Sequence, residues 1–525
     1  MKHLVLFMML VAAGMGATYY VTDDAEGGDD GTSATNAGAG AGVGPFTIKE
    51  AFANGGAHTY ILSDGTYTYY EDAAHQWVLS GESGSTFVSA AGADNCIIAG
   101  SESQAVNGTI NLIDCQNITF RDITINDGGE AGLSASTVYL RTTGATASAG
   151  IVFDDCIINA DKNAGSAIYG LASSTGKISA SFTDCTINTS AASGVLLSQT
   201  GDYDTLVFTG GTWTGTGTGN TYLVYCLSAA TSLTISGVTM ATAETAEMVY
   251  LVATSASGSC TFTNNTLTTT ATGGNYAVYI ADYWTGVTVS GNTVTSNDNA
   301  TKISGIAVGS DAASTDHVMT GPFLIHDNVV THSGTTAVFG HGYLLGSGAN
   351  GARFYDNIGI LPIDTGDATA DPANVDIGLV VKAENCYIYD NYISGCRGLL
   401  LKGAANNRIT NNYFRANTLY AASWLTDDTN EASGNTLRYN VFDATQGTYC
   451  IYGATTGTFN NKFDYNTYYY LGKAKAGYVS ETDYNTLVLL QAGWANGNDI
   501  NSGTRIVEVP IDRTRPRYGY DKRSQ

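Results

Sequence analysis

The sequence predicts an all-β solenoid: about 13 coils of short strands stacked in parallel as a β-helix, with a helical cap at the N-terminal end. Two observations carry this expectation. The first is an asparagine that recurs at one register in eight successive turns: Asn265, Asn292, Asn328, Asn357, Asn391, Asn412, Asn440 and Asn466. Their spacings are 27, 36, 29, 34, 21, 28 and 26 residues. Each asparagine stands between short apolar runs, as in TVSGNTV, FLIHDNVV and YIYDNYI. Self-similarity at such a period marks a solenoid. The second is that the plan continues toward the N-terminus without asparagine, in ITFRDITI, IVFDDCII, ASFTDCTI, LVFTGGTW and LTISGVTM.

Each unit has the same logic. An apolar residue (Phe120, Phe153, Phe182, Phe208, Ile235) precedes a small or polar corner by two positions, and a second apolar residue follows by three. The corners are Asp122, Asp155, Asp184, Gly210, Gly237, Asn264, Gly291, Asp327, Asp356, Asp390, Asn411, Tyr439 and Tyr465, about 29 residues apart. Between them lie alternating runs of Val, Ile, Thr, Phe and Tyr broken by Gly, Asn, Asp and Ser, which read as strands of three to six residues. Stacked coils rise by about 4.8 Å each, so 13 of them span roughly 60 Å. The asparagines have a mechanical role in this scheme. A corner asks for left-handed backbone, which Asn tolerates. Turned inward, its amide bonds to backbone and to the Asn of the next coil.

The ends divide the chain. Residues 1–17 read as a secretion signal: Lys2 and His3, then the apolar core LVLFMMLVAA, then small residues before Ala17. Residues 18–95 form an N-terminal cap and entry coils, with one apolar helix face (Ile48, Ala51, Phe52) to plug the solenoid. Residues 96–470 form the parallel β-helix, and 471–525 a C-terminal cap and basic tail. In that last part ETDYNTLVLLQAGW has helix-like character. A secreted, extracellular protein without a membrane span follows. The oligomeric state is not fixed by the sequence.

Composition narrows the function. The 525 residues carry 47 acidic and 23 basic side chains, a net charge of −24. That disfavours nucleic acid as a partner. The charge is uneven. From Ile178 to Thr301 there is no Lys or Arg, while Lys382 to Arg415 holds five basic residues against two acidic ones. The nine cysteines show no CxxC spacing. Cys156 and Cys185 occupy the same position in adjacent coils, where they serve as a disulfide or as stacked buried thiols. Asp23, Asp24, Glu26, Asp29 and Asp30 offer the clustered carboxylates that Ca²⁺ favours, and read equally as a solvated acidic loop.

The sharpest chemical signal is a lysine pair. Lys382 and Lys402 follow matching LVV and LLL runs in consecutive coils, which stacks them on one face about one strand spacing apart. Mutual repulsion lowers a lysine pKa, and such a lysine acts as a general base. Arg397, Arg408 and Arg415 are near in sequence and suit bidentate binding of carboxylates. Tyrosine is abundant at 33 residues, and Trp284, Trp424 and Trp494 lie in or beside irregular segments, where aromatic faces stack on sugars.

The whole repeat resembles the right-handed parallel β-helix proteins of the pectate-lyase-like superfamily. Handedness comes from that resemblance and from the right-handed rule for parallel crossovers. Locally, IGLVVKAENCYIYDNYISGCRG and RGLLLKGAANNRITNNYFRAN resemble the alginate-lyase and chondroitinase-B-like polysaccharide lyases. That family carries a basic pair one coil apart in a pattern like VKSSxN…N…GxxLRHG. Its lysine abstracts the proton beside a uronate carboxylate, which calcium and an arginine neutralise. The resemblance implies Lys382 as the base, Lys402 or Arg397 as the neutraliser and Ca²⁺ as a possible helper, while Arg408, Arg415 and Trp424 are the candidates for binding substrate from their own chemistry. Lys402 stands where the family has arginine, and Gly403 replaces its histidine. The acids expected just upstream of the lysine are missing; Asp371 and Asp376 are the nearest candidates for metal ligands.

Other chemistries fit less well. Asp154, Asp155 and Asp184, and the series Asp327, Asp356 and Asp390, could supply the carboxylates of a glycoside hydrolase, but turn chemistry explains them. His317, His326, His332 and His341 lack zinc-ligand spacing. Two readings result. One is an extracellular protein acting on an acidic polysaccharide by β-elimination. The other is a non-enzymatic surface, adhesive or virion-associated β-helix that binds glycans.

Overall fold

The chain folds as a right-handed parallel β-helix with three faces. The computed structural model describes residues 16–23, 46–54, 56–68, 77–100, 108–127, 136–160, 166–173, 175–190, 193–197, 203–216, 222–227, 229–242, 248–253, 255, 257–269, 276–296, 304–310, 319–332, 340–361, 376–425, 432–453, 461–470, 474–479, 482–484 and 503–504. The first face is a 16-stranded parallel sheet that runs from Thr18–Val21 to Lys462–Asp464. Its last 13 strands are the coils expected from the corner repeat, and three entry strands precede them. The second and third faces join as one 30-stranded sheet. The joint is made by Tyr392–Lys402 and Tyr413–Leu425, 11 and 13 residues long, each continuous across both faces.

Alternation decides what is inside. On the first face Tyr60, Phe87, Phe120, Phe153, Phe182 and Phe208 stack ring on ring, with centroids 4.9 to 5.1 Å apart. On the second face Ile125, Ile158, Ile187, Trp213, Met240 and Leu267 are buried opposite them. From Phe120 on, each is the residue placed two before or three after a corner by the sequence, and Tyr60 and Phe87 extend the stack into the entry strands. The strand rise thus brings identical positions into contact, and the core grows along one axis.

The corner divides its two tasks between two residues. The left-handed backbone falls on the corner residue, one before the ladder position that asparagine fills from Asn265 on: Asp122 (φ 55°), Asp155 (51°), Asp184 (50°), Asn264 (56°), Asp327 (55°), Asp356 (53°), Asp390 (56°), Asn411 (58°), Tyr439 (57°) and Tyr465 (55°). Glycine takes that place at Gly210, Gly237 and Gly291, with φ of 66–69°. The ladder asparagines themselves avoid positive φ and turn inward, so the left-handed role expected of them belongs to their neighbours. Asn391 shows the inward role in full. Its Nδ2 donates to Asn412 Oδ1 (2.8 Å), Phe354 O (3.0 Å) and Tyr389 O (2.8 Å). Its Oδ1 accepts from Asn357 N (2.9 Å) and Nδ2 (3.1 Å). The same link repeats from Asn265 to Asn466.

A second, shorter ladder stands at the corner between the third and first faces. Asn407 Nδ2 donates to Asn435 Oδ1, and Asn435 Nδ2 to Asn461 Oδ1, both at 2.9 Å. The sequence reading missed it, although NNRITNN, GNTLRYN and NNKFDYN each carry two asparagines five apart.

The N-terminal plug is as expected. Helix Ile48–Asn54 buries Ile48, Ala51 and Phe52, and the Phe52 ring meets Trp77 and Phe87 at 5.6 and 4.8 Å. Thr47 and Glu50 cap it reciprocally: Thr47 N donates to Glu50 Oε2 (2.9 Å) and Glu50 N to Thr47 Oγ1 (3.2 Å). At the other end Thr482–Tyr484 is a strand antiparallel to Lys475–Val479, not the start of a helix. Of residues 1–17, read as a secretion signal, all but the last two lie outside the described residues, as do the acidic cluster beyond Asp23, Trp494 and the basic tail. Among the described residues no helix is long and apolar enough to cross a membrane.

All nine cysteines are buried thiols outside any disulfide. Cys156 and Cys185 take the ladder position in coils that lack asparagine, with each Sγ donating to carbonyls in the coil before, Phe120 O and Phe153 O at 3.5 Å. Burial pushes the Cys115 thiol up to about 11 and Cys386 to about 12. Thiol titration at pH 8 should therefore find no reactive cysteine in the native protein and nine after denaturation. A second expectation concerns the ladder. Asn391→Ala leaves several buried partners unpaired, at about 1–3 kcal/mol each, so denaturant titration should show a loss of several kcal/mol.

Candidate functional site

The lysine pair sits at the edge where the third face turns toward the first. Strand Ile377–Val381 pairs in register with the second half of Tyr392–Lys402: Leu379 with Leu399, Val380 with Leu400 and Val381 with Leu401. The next position is therefore Lys382 beside Lys402. Leu379, Val381, Leu399 and Leu401 fix this register by entering the core. Both lysines are half-buried, and Lys382 N donates to Leu345 O at 2.8 Å. Lys402 is followed in the same column by Leu425. The stacking read from LVVK and LLLK is thus present.

The other predicted residues disperse. Arg397 begins the strand segment that Lys402 ends, about 16 Å away along it. It is 1% exposed, and its guanidinium carbon lies 5.2 Å from the Tyr420 ring centroid. Burial against that ring removes it from the lysine edge, which leaves Lys402 as the cation beside Lys382. Arg415 lies on the second face, with Nε 3.9 Å from Oδ2 of the fully buried Asp443. That carboxylate also accepts from the Tyr413 hydroxyl (2.6 Å) and from Thr445 N (2.9 Å). Burial and the Asp443 charge push the Tyr413 phenol well above its ordinary value. Arg415 therefore has an internal carboxylate beside it and does not join the lysines. Arg408 lies on the first face, exposed, 5.6 Å over the Tyr387 ring.

Trp424 is a core residue, not a sugar platform. It is 1% exposed and meets the Phe463 ring at 5.5 Å. Alternation puts it on the inward side with Leu401, its register partner. Trp284 is likewise buried, its Nε1 donating to Leu251 O at 3.3 Å.

Of the two proposed metal ligands the structure describes one. Asp376 is 2% exposed, with its carbonyl accepting from Arg397 N, and Asp371 lies outside the described residues. Among the described residues no three His, Cys, Asp or Glu side chains gather to hold a metal ion. Asp155, Asp184, Asp327, Asp356 and Asp390 sit at left-handed corners, as turn chemistry requires, while Asp154 ends a strand and pairs with Arg121 at 2.8 Å. Burial, then the neighbouring charges of Asp390 and Asp327, raises the Asp356 carboxyl. His326 lies against Asp327 (2.8 Å) and stacks on Tyr355, and His317 is outside the described residues.

Tyrosine does mark the third face. One register column, on the side of the strands away from the main core, runs Tyr139, Tyr169, then Tyr225, Tyr250, Tyr279, Ala307, Leu344, Val380, Leu400, Ser423, Tyr452, Tyr478; its stretch from Ala307 to Ser423 is buried. Its rings stack on each other, 5.2 Å for Tyr139–Tyr169, 5.4 Å for Tyr225–Tyr250 and 5.2 Å for both Tyr250–Tyr279 and Tyr452–Tyr478. Ring faces are therefore largely spent on one another, and edges and hydroxyls are what remain for a ligand. Beside the column, burial pushes the Tyr420 phenol up to about 12.

Comparison with known proteins supports the architecture. A family model described as right handed beta helix region matches residues 366–488. Among solved structures the chain is similar to pectate lyase Pel9A at 12% identity and TM-score 0.26, over 81% of this chain and 80% of that one. It is similar to tailspike protein 3 of bacteriophage CBA120 at 14% and 0.35, over 84% and 61%. It is also similar to a PL6 alginate lyase in complex with trisaccharide at 10% and 0.27, over 87% and 92%. Likenesses this distant carry nothing about chemistry. No curated protein matches the chain in sequence.

The inward placement of Trp424 yields a direct test. Trp424→Ala should cost about 3–5 kcal/mol of stability in denaturant titration, as a large buried side chain does.

Proposed function

We propose that the protein binds an acidic extracellular polysaccharide at the Lys382–Lys402 edge and cleaves it by β-elimination. The observation that supports this best is the register itself: two lysines in consecutive coils on one edge of a chain with net charge −24. Lys382 takes the proton beside a uronate carboxylate. The released electron pair forms the C4–C5 double bond while the glycosidic oxygen departs with the bonding pair. Lys402, as the ammonium, sits against the carboxylate and stabilises the negative charge that builds on it. Ca²⁺ would add to that neutralisation if residues outside the described set supply ligands. Residues 1–17 direct export in this reading, which places the enzyme with its polymer.

A second reading rests on the tyrosine column: a surface, adhesive or virion-associated protein that holds glycans without cleaving them. An absorbance assay separates the two. Protein 18–525 is mixed with alginate, pectate or chondroitin-type polymer, with Ca²⁺ and with chelator. Rising ultraviolet absorbance from an unsaturated uronate is the expected outcome. Lys382→Ala should lower the rate by about a thousandfold, at the scale of a lost general base. Full activity in that variant would exclude Lys382 as the base. No absorbance with any polymer would favour the binding reading.

A further inference from the structure

A separate charged strip lies on the first face. One outward column there runs Leu324, Arg353, Tyr387, Arg408, Thr436, Lys462 through six successive coils. In the seven coils before it the same column is Thr119, Val152, Ser181, Val207, Thr234, Thr261 and Thr288, with no charge. Arg353, Arg408 and Lys462 are exposed, and among the described residues none of them makes an ion pair. Tyr387 between the two arginines is 45% exposed, an unusual place for a large ring in this chain. Three exposed cations without carboxylate partners stand out where acids outnumber bases 47 to 23.

We propose that this column binds a linear glycan lying parallel to the solenoid axis and carrying one anionic group per two sugars. Arginine, arginine and lysine occupy alternate rungs, so their spacing is about 10 Å, twice the strand separation. An extended pyranose chain advances by roughly one rung per sugar. Alternate sugars then meet a cation, and the sugars between meet Tyr387 and Thr436. Tyr387 offers ring surface to a sugar, and Arg408 over it holds the ring in place. The corner carboxylates Asp327, Asp356 and Asp390 lie three residues along the strands from this column, about 10 Å away. They repel a polyanion on that side and confine it to the strip; Asp464 does the same beside Lys462 at the last rung. Charge density argues against duplex nucleic acid, which carries a charge every ~1.7 Å and would meet the net −24 with these cations and the neighbouring exposed Arg438 on this face. The inference rests on the acidic-polysaccharide reading above for the class of polymer and on none of its lysine chemistry.

Affinity electrophoresis tests it, with the Lys382→Ala protein so that cleavage does not consume the probe. The probes are unsulfated chondroitin, with one carboxylate per disaccharide, polygalacturonate, with one per sugar, a neutral glucan, and duplex DNA. Chondroitin should be retained most strongly. Arg353→Gln with Arg408→Gln should weaken that retention about tenfold or more, at the scale of two lost charge-assisted contacts. Tyr387→Ala should weaken it several-fold. Thr261→Ala, in the same column among the uncharged coils, should leave it unchanged. Circular dichroism verifies folding of each variant. Equal retention of polygalacturonate, neutral glucan or DNA would overturn the proposal, as would a double arginine variant that binds like its parent or a failure to retain chondroitin. Retention without any unsaturated product from the wild-type protein would sink the lyase reading and leave the strip standing.

Discussion

Registry between coils is the constraint on which every surface of this protein depends. It is fixed where the chain turns, by buried amides that each satisfy the coil on either side. A slip of one residue would exchange inward and outward positions over a whole strand. It would also orphan the ladder donors, at about 1–3 kcal/mol for each buried group left unpaired. Lys382 stands beside Lys402, and Arg353 in line with Arg408, only because neither can happen cheaply. The corner separates two demands that compete for one residue in a simpler turn. Aspartate, glycine or asparagine absorbs the left-handed backbone, and the following asparagine is left free to bond inward.

The outward columns are where chemistry varies along a uniform frame. The third face carries stacked tyrosines, the edge after it two lysines, and the first face a run of threonine and valine that gives way to arginine and tyrosine. A polymer is a natural partner for such a surface, since both repeat along a line. Stacking has a cost for recognition, however. Rings one strand apart cover each other, so a tyrosine column presents hydroxyls where an isolated ring would present a face.

Much of this was legible in the chain. The 13 corners, the residues two before and three after them, the inward amides and the helical plug all follow from a repeat of apolar and small residues, because alternation and coil rise leave little choice. The lysine register was legible for the same reason. What failed was any inference from nearness in sequence. Arg397 and Lys402 share a strand yet lie about 16 Å apart along it. Arg415 went to the second face and a buried carboxylate, and Trp424 to the core, because a coil carries neighbours to different faces within a few residues. The first-face cations were visible as RFYDN, RITNN and KFDYN, but their meaning lies in the coils above and below, not in their own segment.

The ladders also give the rod a mechanical grain. Bonds between coils run along the solenoid axis, so tension applied end to end loads one interface at a time, as in opening a zip. Each coil that yields would pay out about 29 residues, close to 100 Å of extended chain. The resistance should not be even. Coils beyond Asn265 are tied by amide chains as well as by strands, and those beyond Asn407 by two such chains. The N-terminal coils have stacked phenylalanines and thiols in their place. Pulled from its ends, the molecule would lengthen from its N-terminal half first, while the coils that carry the lysine edge and the arginine strip kept their shape.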